Sequence, residues 1–301
     1  MRGNATIRTR FHEPDIEKLF TSVDDRDYER YCEVRGLNPC EFTRGECMAI
    51  AAGRDIPDAA FIFAGTGLPL IGCMFAQHTY APTAVVVMES GIIGSRMLHL
   101  PISVADPRAA YRCTILGSMA DAFGTIAMRG YCTLGILGAA ECDKYGNLNS
   151  TTIGNPEGTQ QTRLAGSGGA NPIASFADFV IAMMVHERRR FPECCSYLTS
   201  SCGARGRASL REDRWSYGLY RGGRVVVLST LGVLRTDETG DGELLLDALY
   251  PGVEEKEIYE NTGWDLKKTP SFHRMFAPTY EELKVLRYVV DPDRVYLGRY
   301  N

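Results

Sequence analysis

The sequence predicts a multi-layer α/β fold with a mostly parallel sheet. Short apolar runs rich in β-branched and aromatic residues end at glycines or polar turns, and helix-like segments separate them. The clearest run, 84–88, is apolar throughout, which is typical of a strand buried on both faces. Strands that alternate with helices in this way indicate a sheet covered by helical layers.

Individual elements follow from the same patterns. The predicted strands cover residues 59–63, 84–88, 131–137, 176–185, 224–230, 232–235 and 243–246. The predicted helices cover residues 14–21, 24–35, 69–78 and 279–290, and a further helix starts after Thr43. At Thr43 and again at Thr279, a glutamate three residues later completes a capping box. The glycine-rich segment 239–242 predicts a hairpin turn between the last two strands.

Residues 1–42 differ in character from the rest of the chain. They are polar and charged with few aliphatic side chains, whereas an apolar helix face begins just after Thr43. We therefore predict an N-terminal helical extension at 1–42 and one domain at 43–301. The full chain of 301 residues is 45% hydrophobic and 23% charged, which is typical of a soluble globular protein with a sizeable core.

Charge and hydropathy narrow the possible partners. The formal net charge is -4 and the pI about 5.8, so neither nucleic acid nor an anionic membrane is expected as the main partner. No apolar run approaches the roughly 20 residues that span a bilayer. The first residues lack the continuous apolar region of a secretory signal.

The ten cysteines are scattered, mostly in apolar stretches. Cys194, Cys195 and Cys202 lack the C-x-x-C pairs of a structural zinc site, so no metal is expected. We predict buried, reduced thiols in a cytoplasmic protein.

Glu89 is the first candidate for chemistry. It follows directly on the 84–88 strand, and Ser90 and Gly91 then turn the chain. In open α/β sheets, ligands bind beyond the carboxyl ends of the strands. A glutamate at a strand end is more often solvated or helix-capping, so its position alone leaves catalysis open. None of the five histidines belongs to a hydrolase or metalloprotease motif, so a carboxylate is the better candidate for a nucleophile.

Two glycine-rich loops could surround such a carboxylate. They are Gly65–Gly67 and Gly166–Ala170, and loops of this kind bring backbone N–H groups close to a phosphate or an oxyanion. Leu70 breaks a dinucleotide fingerprint, and no P-loop lysine follows. Tight turns between packed elements remain the alternative for both loops.

Polar and basic segments complete the candidates. Asn149 and Ser150 end a turn-rich segment and could point into a site. The basic segments are His186–Arg190 and the group Arg205, Arg207, Arg211 and Arg214. Each could meet a phosphate or a partner subunit, or form a solvated basic face.

Seven motifs together resemble one family. They lie at 65–72, 80–82, 89–91, 143–151, 165–171, 186–191 and 260–266. In this order they resemble the β subunits of family I CoA-transferases, and that of glutaconate CoA-transferase in particular. The resemblance covers about residues 43–292, and residues 1–42 lie outside it.

The resemblance implies a NagB/RpiA/CoA-transferase-like fold, an open mixed sheet flanked by helices. It also implies an α subunit as partner, in a hetero-oligomer of repeated αβ units. CoA would move from an acyl-CoA to a carboxylic acid by a ping-pong mechanism. Glu89 would form an acyl-glutamyl anhydride and then a covalent glutamyl-CoA thioester. No cofactor is implied beyond the coenzyme A of the substrate.

The resemblance also assigns roles to residues of the site. Gly168, Gly169 and Ala170 would form an oxyanion and CoA-binding loop, Gly65 and Gly67 the opposite wall, and Ser90, Gly91, Asn149 and Ser150 a further wall. There is one departure. Some wider-family relatives have an asparagine donor where Phe63 stands, so that donor must come from elsewhere.

Two rival functions stay open at this stage. One is the β subunit of a CoA-thioester or ring-cleaving diketone-CoA hydrolase, whose known β subunits lack the E-S-G glutamate. The other is a scaffold subunit without catalysis. A Rossmann-type dehydrogenase is excluded by Leu70 and by the missing ribose-binding acid. The acyl donor and the acceptor are not determined by this chain.

Overall fold

The computed structural model describes residues 23–154, 161–203 and 214–299. Its strands are β1 (Phe61–Ala64), β2 (Val85–Val87), β3 (Ile92–Ile93), β4 (Ile115–Leu116), β5 (Leu134–Gly138), β6 (Glu141–Cys142), β7 (Leu148–Asn149), β8 (Thr152–Gly154), β9 (Gln161–Arg163), β10 (Phe179–Met184), β11 (Arg224–Ser229), β12 (Gly232–Thr236), β13 (Leu244–Leu249) and β14 (Lys268–Arg274).

The helices are α1 (Asp25–Val34), α2 (Arg44–Asp55), α3 (Leu68–His78), α4 (Ala170–Phe176), α5 (Glu255–Glu260) and α6 (Tyr280–Lys284). Two π-helical segments cover Asp121–Ala127 and Val285–Val290, and the second continues α6. Short 3₁₀ turns lie at Pro107–Ala110, Arg188–Arg190, Arg214–Tyr217 and Leu297–Arg299.

One large mixed sheet has the order β14-β13-β12-β11-β10-β5-β1-β2-β3-β4. Its centre, β11-β10-β5-β1-β2, is parallel. Antiparallel pairings extend it through β3 and β4 on one side and through β12 and β13 on the other, where β14 then pairs with β13 in parallel. Every residue of β10 is buried, as expected for a strand covered on both faces. Since the central strands are parallel, their carboxyl ends share one edge of the sheet, which we call the carboxyl edge.

Helices cover this sheet and pack closely on it. α2 and α3 contact each other and the central strands, and Gly72 of α3 faces Ala52 of α2 where a Cβ would come within 2.8 Å. α4 packs on Gly135 of β5 through Ile173. The expected fold class, an open mixed sheet flanked by helices, is confirmed.

Most predicted elements are confirmed with small shifts at their ends. The strand predicted at 176–185 starts later because Phe176 still belongs to α4. The strands β3, β4 and β14, in the outer parts of the sheet, were missed, because the first two have only two residues each and β14 is mostly polar and contains Pro270. The helix predicted at 14–21 lies outside the described residues.

Two reciprocal ion pairs join α2 to the C-terminal helix, which consists of α6 and its π-helical continuation Val285–Val290. Both predicted capping boxes are present, and each one's glutamate also binds an arginine of the other helix. Glu46 of α2 accepts two hydrogen bonds from Arg287, at 2.7 and 2.8 Å. Arg54, at the other end of α2, donates to Glu282 at 2.7 and 2.6 Å. All four side chains are buried, so the two helices are held in one register.

The described part of the N-terminal segment belongs to the same core. Tyr28 and Cys32 of α1 are fully buried in it. Arg287 donates to the Tyr28 hydroxyl and to the carbonyl of Asn38. α1 therefore packs against the C-terminal helix.

All ten cysteines lie in the described part of the chain and are free thiols, seven of them buried. Burial raises the pKa of the Cys132 and Cys202 thiols to about 12.

Among the described residues, no helix has the length and apolar character to cross a membrane.

Replacing Arg54 with methionine should lower the free energy of unfolding by about 3 kcal/mol or more, because it leaves the buried Glu282 carboxylate without its cation. The matched control is Arg44→Met, which breaks the exposed Arg44–Glu257 pair and should cost under about 1 kcal/mol. Urea denaturation monitored by circular dichroism measures both. Equal losses in the two variants would contradict a stabilising role of the buried Arg54–Glu282 pair.

Candidate active site

Glu89 stands at the carboxyl edge of the sheet. It follows β2, whose Val87 pairs with Phe63 of the parallel strand β1. Two residues beyond this pair, the chain reaches Glu89 after β2 and Gly65 after β1. The parallel register therefore places the glutamate and the first glycine loop at the same edge, as the strand patterns predict.

Glycine at position 91 is required by the turn that presents Glu89. The Gly91 N–H donates to the Met88 carbonyl at 3.0 Å, and Gly91 has a φ of +99°. A Cβ there would come within 2.5 Å of the Gly117 carbonyl group. Gly117 in turn donates its N–H to the Gly91 carbonyl at 3.0 Å. The turn is thus docked tightly against the segment that follows β4.

The second glycine loop contacts Glu89 directly. The Gly169 N–H donates to Glu89 Oε2 at 2.8 Å. A Cβ on Gly169 would overlap this oxygen, whereas one on Gly168 would lie 3.7 Å from it. Gly168 has a φ of +48°, and α4 starts at Ala170. The structure therefore joins two elements that are 80 residues apart in the sequence.

Aromatic rings cover one side of this contact. The buried Phe63 of β1 stacks on Phe123, with ring centroids 5.3 Å apart and an angle of 22°. The Phe123 Cζ lies 3.0 Å from where a Cβ on Gly169 would stand. Position 63 supplies an apolar ring, so this side of the site is apolar.

The first glycine loop lies at the edge without bonding to Glu89 among the described contacts. The Gly65 N–H donates to the Ile136 carbonyl at 3.1 Å and continues the sheet pairing. Gly67 has a φ of +86° and precedes α3, and the space beside its Cα faces the Tyr296 ring at 3.6 Å. These glycines shape the strand-to-helix turn.

The remaining wall candidates have different surroundings. Ser90 Oγ is buried and has no hydrogen-bond partner among the described residues. Ser150 Oγ donates to the Gly166 carbonyl at 3.0 Å, so Ser150 adjoins the second glycine loop. The Asn149 amide donates to Glu141 Oε2 at 2.7 Å and lies in a buried polar network.

His186 has a structural environment. It is buried, stacks on Phe191 at 3.9 Å and hydrogen-bonds Ser229 and Thr262. Burial lowers the pKa of His186 to about 3, so the imidazole is neutral. Arg188 donates to the carbonyls of Glu260 and Thr262 at 3.1 and 3.0 Å. The motifs at 186–191 and 260–266 therefore pack on each other.

The other basic residues divide into two groups. Arg189 and Arg190 pair with Glu187 on the surface. Arg214 is buried, and its guanidinium donates to the carbonyls of Ala174 in α4 and of Arg221, at 3.1 and 2.6 Å for Nη2. It thereby caps the last turn of α4, and its burial lowers its pKa. Arg205, Arg207 and Arg211 lie outside the described residues.

Several residues around the site carried no sequence signal. Four of them were missed in the sequence analysis, because each acts through contacts distant in sequence: Phe123, Thr199, Glu141 and the capping role of Arg214.

Among the described residues, no cluster of three or more His, Cys, Asp or Glu side chains could hold a metal ion.

The fold and this edge define an α/β protein with a carboxylate held by a backbone amide at the ends of parallel strands. Comparison with known proteins gives the family. The coenzyme A transferase family model matches residues 46–261. The chain belongs to this family.

Two sequence relatives are 32% identical to the chain. One is the B subunit of 3-oxoadipate CoA-transferase from Pseudomonas knackmussii, aligned over 82% of this chain and 92% of the relative. The other is the B subunit of glutaconate CoA-transferase from Acidaminococcus fermentans, aligned over 85% and 95%. The cholesterol ring-cleaving hydrolase IpdB subunit of Rhodococcus jostii is 28% identical over 84% of this chain and 94% of that relative.

Among solved structures, glutaconate CoA-transferase from Acidaminococcus fermentans matches with a TM-score of 0.77 at 32% identity, covering 86% of this chain and 98% of that one. The expected resemblance to family I CoA-transferase β subunits is confirmed. The chain is thus a CoA-transferase subunit similar to the B subunits of the two transferases.

His186 should make the protein less stable as the pH falls below about 6.5, the usual histidine pKa. The unfolded chain then binds a proton that the fold, with its pKa of about 3, does not accept. Between about pH 4 and 6, Asp143 acts oppositely, because burial raises its pKa to about 6 and the fold holds its proton more tightly. The contribution of His186 to the pH dependence of stability is therefore measured as the difference between the wild type and a variant at position 186.

In His186→Gln, unfolding free energy should fall less steeply on acidification than in the wild type, by up to about 1.4 kcal/mol per pH unit. Denaturant titrations at pH 7, 6 and 5 measure this difference. Parallel slopes in the two proteins would show that His186 is not held neutral.

Proposed function

We propose that this chain is the β subunit of a heteromeric enzyme that moves CoA between an acyl-CoA and a carboxylic acid, with Glu89 as covalent nucleophile. The observation that supports it most is the hydrogen bond from Gly169 N–H to Glu89 Oε2 at the carboxyl edge. This bond orients the carboxylate. Among the described residues, no hydrogen bond reaches Oε1, so this oxygen is the one available for attack.

The proposed reaction runs in two balanced halves. Glu89 Oε1 attacks the thioester carbon, the C–S bond breaks, and an acyl-glutamyl anhydride and the CoA thiolate result. The thiolate then attacks the glutamyl Cδ, the Cδ–Oε1 bond breaks, and the donor acid leaves with Oε1 in its carboxylate, so that glutamyl-CoA remains. An acceptor carboxylate reverses both steps. No water is consumed, and no metal or redox cofactor is needed.

Gly169 has a defined task in this sequence. Oε2 becomes the carbonyl oxygen of the anhydride and of the thioester, and it carries negative charge whenever Cδ is attacked. The Gly169 N–H already points at this oxygen, so it stabilises the charge with little reorganisation. The Phe63–Phe123 stack keeps this side of the site apolar, which strengthens the interaction.

A partner α subunit is proposed on two grounds. The two transferase relatives are named as B subunits. The segment 98–131 exposes large apolar side chains, with exposed fractions from 39% at Tyr111 to 73% at Leu116. They are Leu98, Ile102, Tyr111, Ile115, Leu116, Met119, Met128 and Tyr131. The same segment contacts the Glu89 turn through Gly117, so a subunit that covered it would also close the site.

The hydrolase alternative has less support. Its relative is less similar than the two transferase subunits, and the E-S-G glutamate that its family's β subunits lack is present here and held by Gly169.

The proposed substrates are a carboxylic acid and the CoA thioester of another carboxylic acid. The two transferase relatives are named after the dicarboxylates 3-oxoadipate and glutaconate. We therefore propose that a dicarboxylate is among the substrates of this chain's enzyme.

The test incubates the complex with the α subunit with acetyl-CoA, succinyl-CoA or glutaryl-CoA and then treats it with borohydride. We expect a loss of mass in the peptide that contains Glu89 and in no other peptide. Borohydride reduces a glutamyl thioester to an alcohol, so the change should depend on the acyl-CoA and disappear in Glu89→Gln. Peptide mass spectrometry measures it. Acyl-CoA consumption with an unmodified Glu89 peptide would favour the hydrolase.

The same assay tests the need for a partner. This chain alone should neither consume acyl-CoA nor become modified. Full transfer by the isolated chain would refute the two-chain site.

Gly169→Ala should lower kcat by about 100-fold or more, because the added Cβ overlaps Glu89 Oε2 and displaces the amide donor. Gly298→Ala is the matched control, since Gly298 is exposed, lies outside segment 98–131, and a Cβ there would make only an ordinary contact of 3.5 Å with Arg294 Cβ. Steady-state kinetics of the complex compare the two. A Gly169→Ala enzyme as active as the control would remove Gly169 from the mechanism.

A further inference from the structure

We propose that Thr199 is a positioning residue for this reaction, whose hydroxyl and carbonyl set the glycine loop at the distance from Glu89 that the Gly169 amide requires. The inference rests on the proposed function. Thr199 contacts neither Glu89 nor Gly169 by any described hydrogen bond. It acts through the two segments that hold the loop, and neither the motifs nor the strand pattern marks it.

The Thr199 hydroxyl is the centre of a buried network. Its side chain is buried, and Oγ1 accepts a hydrogen bond from the Ser150 N–H at 2.9 Å. The same oxygen bonds the Thr151 hydroxyl at 2.8 Å and donates to Asn149 Oδ1 at 3.3 Å. A single hydroxyl therefore fixes three consecutive residues, 149–151.

Those residues hold the start of the glycine loop. Ser150 and Gly166 form a pair of bonds in both directions: Gly166 N–H to the Ser150 carbonyl at 2.9 Å, and Ser150 Oγ to the Gly166 carbonyl at 3.0 Å. Gly166 has a φ of +97°, so the chain turns sharply at the anchored residue. A shift of Ser150 would move the loop only three residues before Gly169.

The end of the loop is attached to the same threonine. The Asn171 amide donates to the Thr199 carbonyl at 2.9 Å, and Asn171 belongs to the first turn of α4. Thr199 thus holds the loop on both sides of Gly169, by its hydroxyl through Ser150 and by its carbonyl through Asn171.

A buried carboxylate holds this network from behind. Glu141, 4% exposed, accepts from the Asn149 amide at 2.7 Å and from the N–H and hydroxyl of Ser196 at 2.9 and 2.8 Å. Ser196 and Thr199 lie on one segment, so Glu141 ties this segment to Asn149. The network is closed within the described residues, which favours a rigid support.

The test compares Thr199→Val with Thr199→Ser in the complex with the α subunit. Valine keeps the shape and removes the hydroxyl, and serine keeps the hydroxyl. Thr199→Val should lower kcat about 10- to 100-fold with KM changed less than about threefold, because a displacement of the order of 1 Å misplaces a catalytic donor. Thr199→Ser should stay within about threefold of the wild type.

Thr79→Val is the control for loss of a buried threonine hydroxyl. Thr79 is 4% exposed, and its hydroxyl donates to the Phe75 carbonyl at the end of α3 away from the carboxyl edge. Its kcat should match the wild type. Equal losses of kcat in Thr199→Val and Thr79→Val, or in Thr199→Val and Thr199→Ser, would overturn the inference.

A spectroscopic readout separates positioning from chemistry. The chain contains two Gly-Gly pairs, 168–169 and 222–223, so protein labelled with carbonyl-¹³C, ¹⁵N-glycine gives two carbonyl-filtered amide signals. The one that moves in Glu89→Gln identifies Gly169. We expect Thr199→Val to move this signal, and Thr199→Ser and Thr79→Val to leave it in place, with the Gly223 signal constant.

The outcomes distinguish this inference from the proposed function. If the Gly169 signal is unchanged in Thr199→Val, the positioning role falls even when the Glu89 intermediate is trapped. If the signal moves but no Glu89 intermediate forms with any acyl-CoA, Thr199 still positions the loop and the proposed chemistry is what fails.

Discussion

The hydrogen bond between the Gly169 amide and the Glu89 carboxylate is the contact on which the site depends. It exists because β1, β2, β5 and β10 are parallel, so the turns that follow them meet at one edge. It also needs positions without side chains, since a Cβ on Gly169 would occupy the place of the carboxylate oxygen and one on Gly91 would strike Gly117. The site is thus made by backbone approach.

Buried polar groups hold the rest of the molecule in register around this contact. Glu46 and Glu282 each cap their own helix and bind an arginine of the other helix, which offsets the cost of burying four charges. The Tyr80 hydroxyl also donates to Glu282 at 2.7 Å, so the chain that leaves α3 is anchored to the same pair. α3 begins at the carboxyl edge, next to Gly67. The Arg54–Glu282 pair therefore fixes α3 at the end distant from the carboxyl edge.

Local patterns were sufficient to predict most of the scaffold and to select the first candidate residues of the site. The apolar runs predicted the central strands, and the capping boxes at Thr43 and Thr279 are present. Glu89 and the loop around Gly169 were predicted from strand ends and glycine content, and the structure brings them together. β4 escaped prediction because a two-residue edge strand with exposed side chains has no periodicity to detect. The burial of His186 was not predicted, because the four residues that follow it, 187–190, are all charged.

The sequence by itself determined the strand and helix pattern, the family resemblance and the candidate nucleophile, since each rests on residues that are close together in the chain. Only the tertiary structure decided which loop meets Glu89, that Phe123 lines the contact, that the Thr199 hydroxyl accepts from Ser150, and that Arg214 caps the last turn of α4. These contacts join residues tens of positions apart, and their hydrogen-bond partners are mostly backbone atoms, which every residue carries. A sequence pattern contains no signal for such partners, because the geometry that pairs them arises when the sheet and its helices pack.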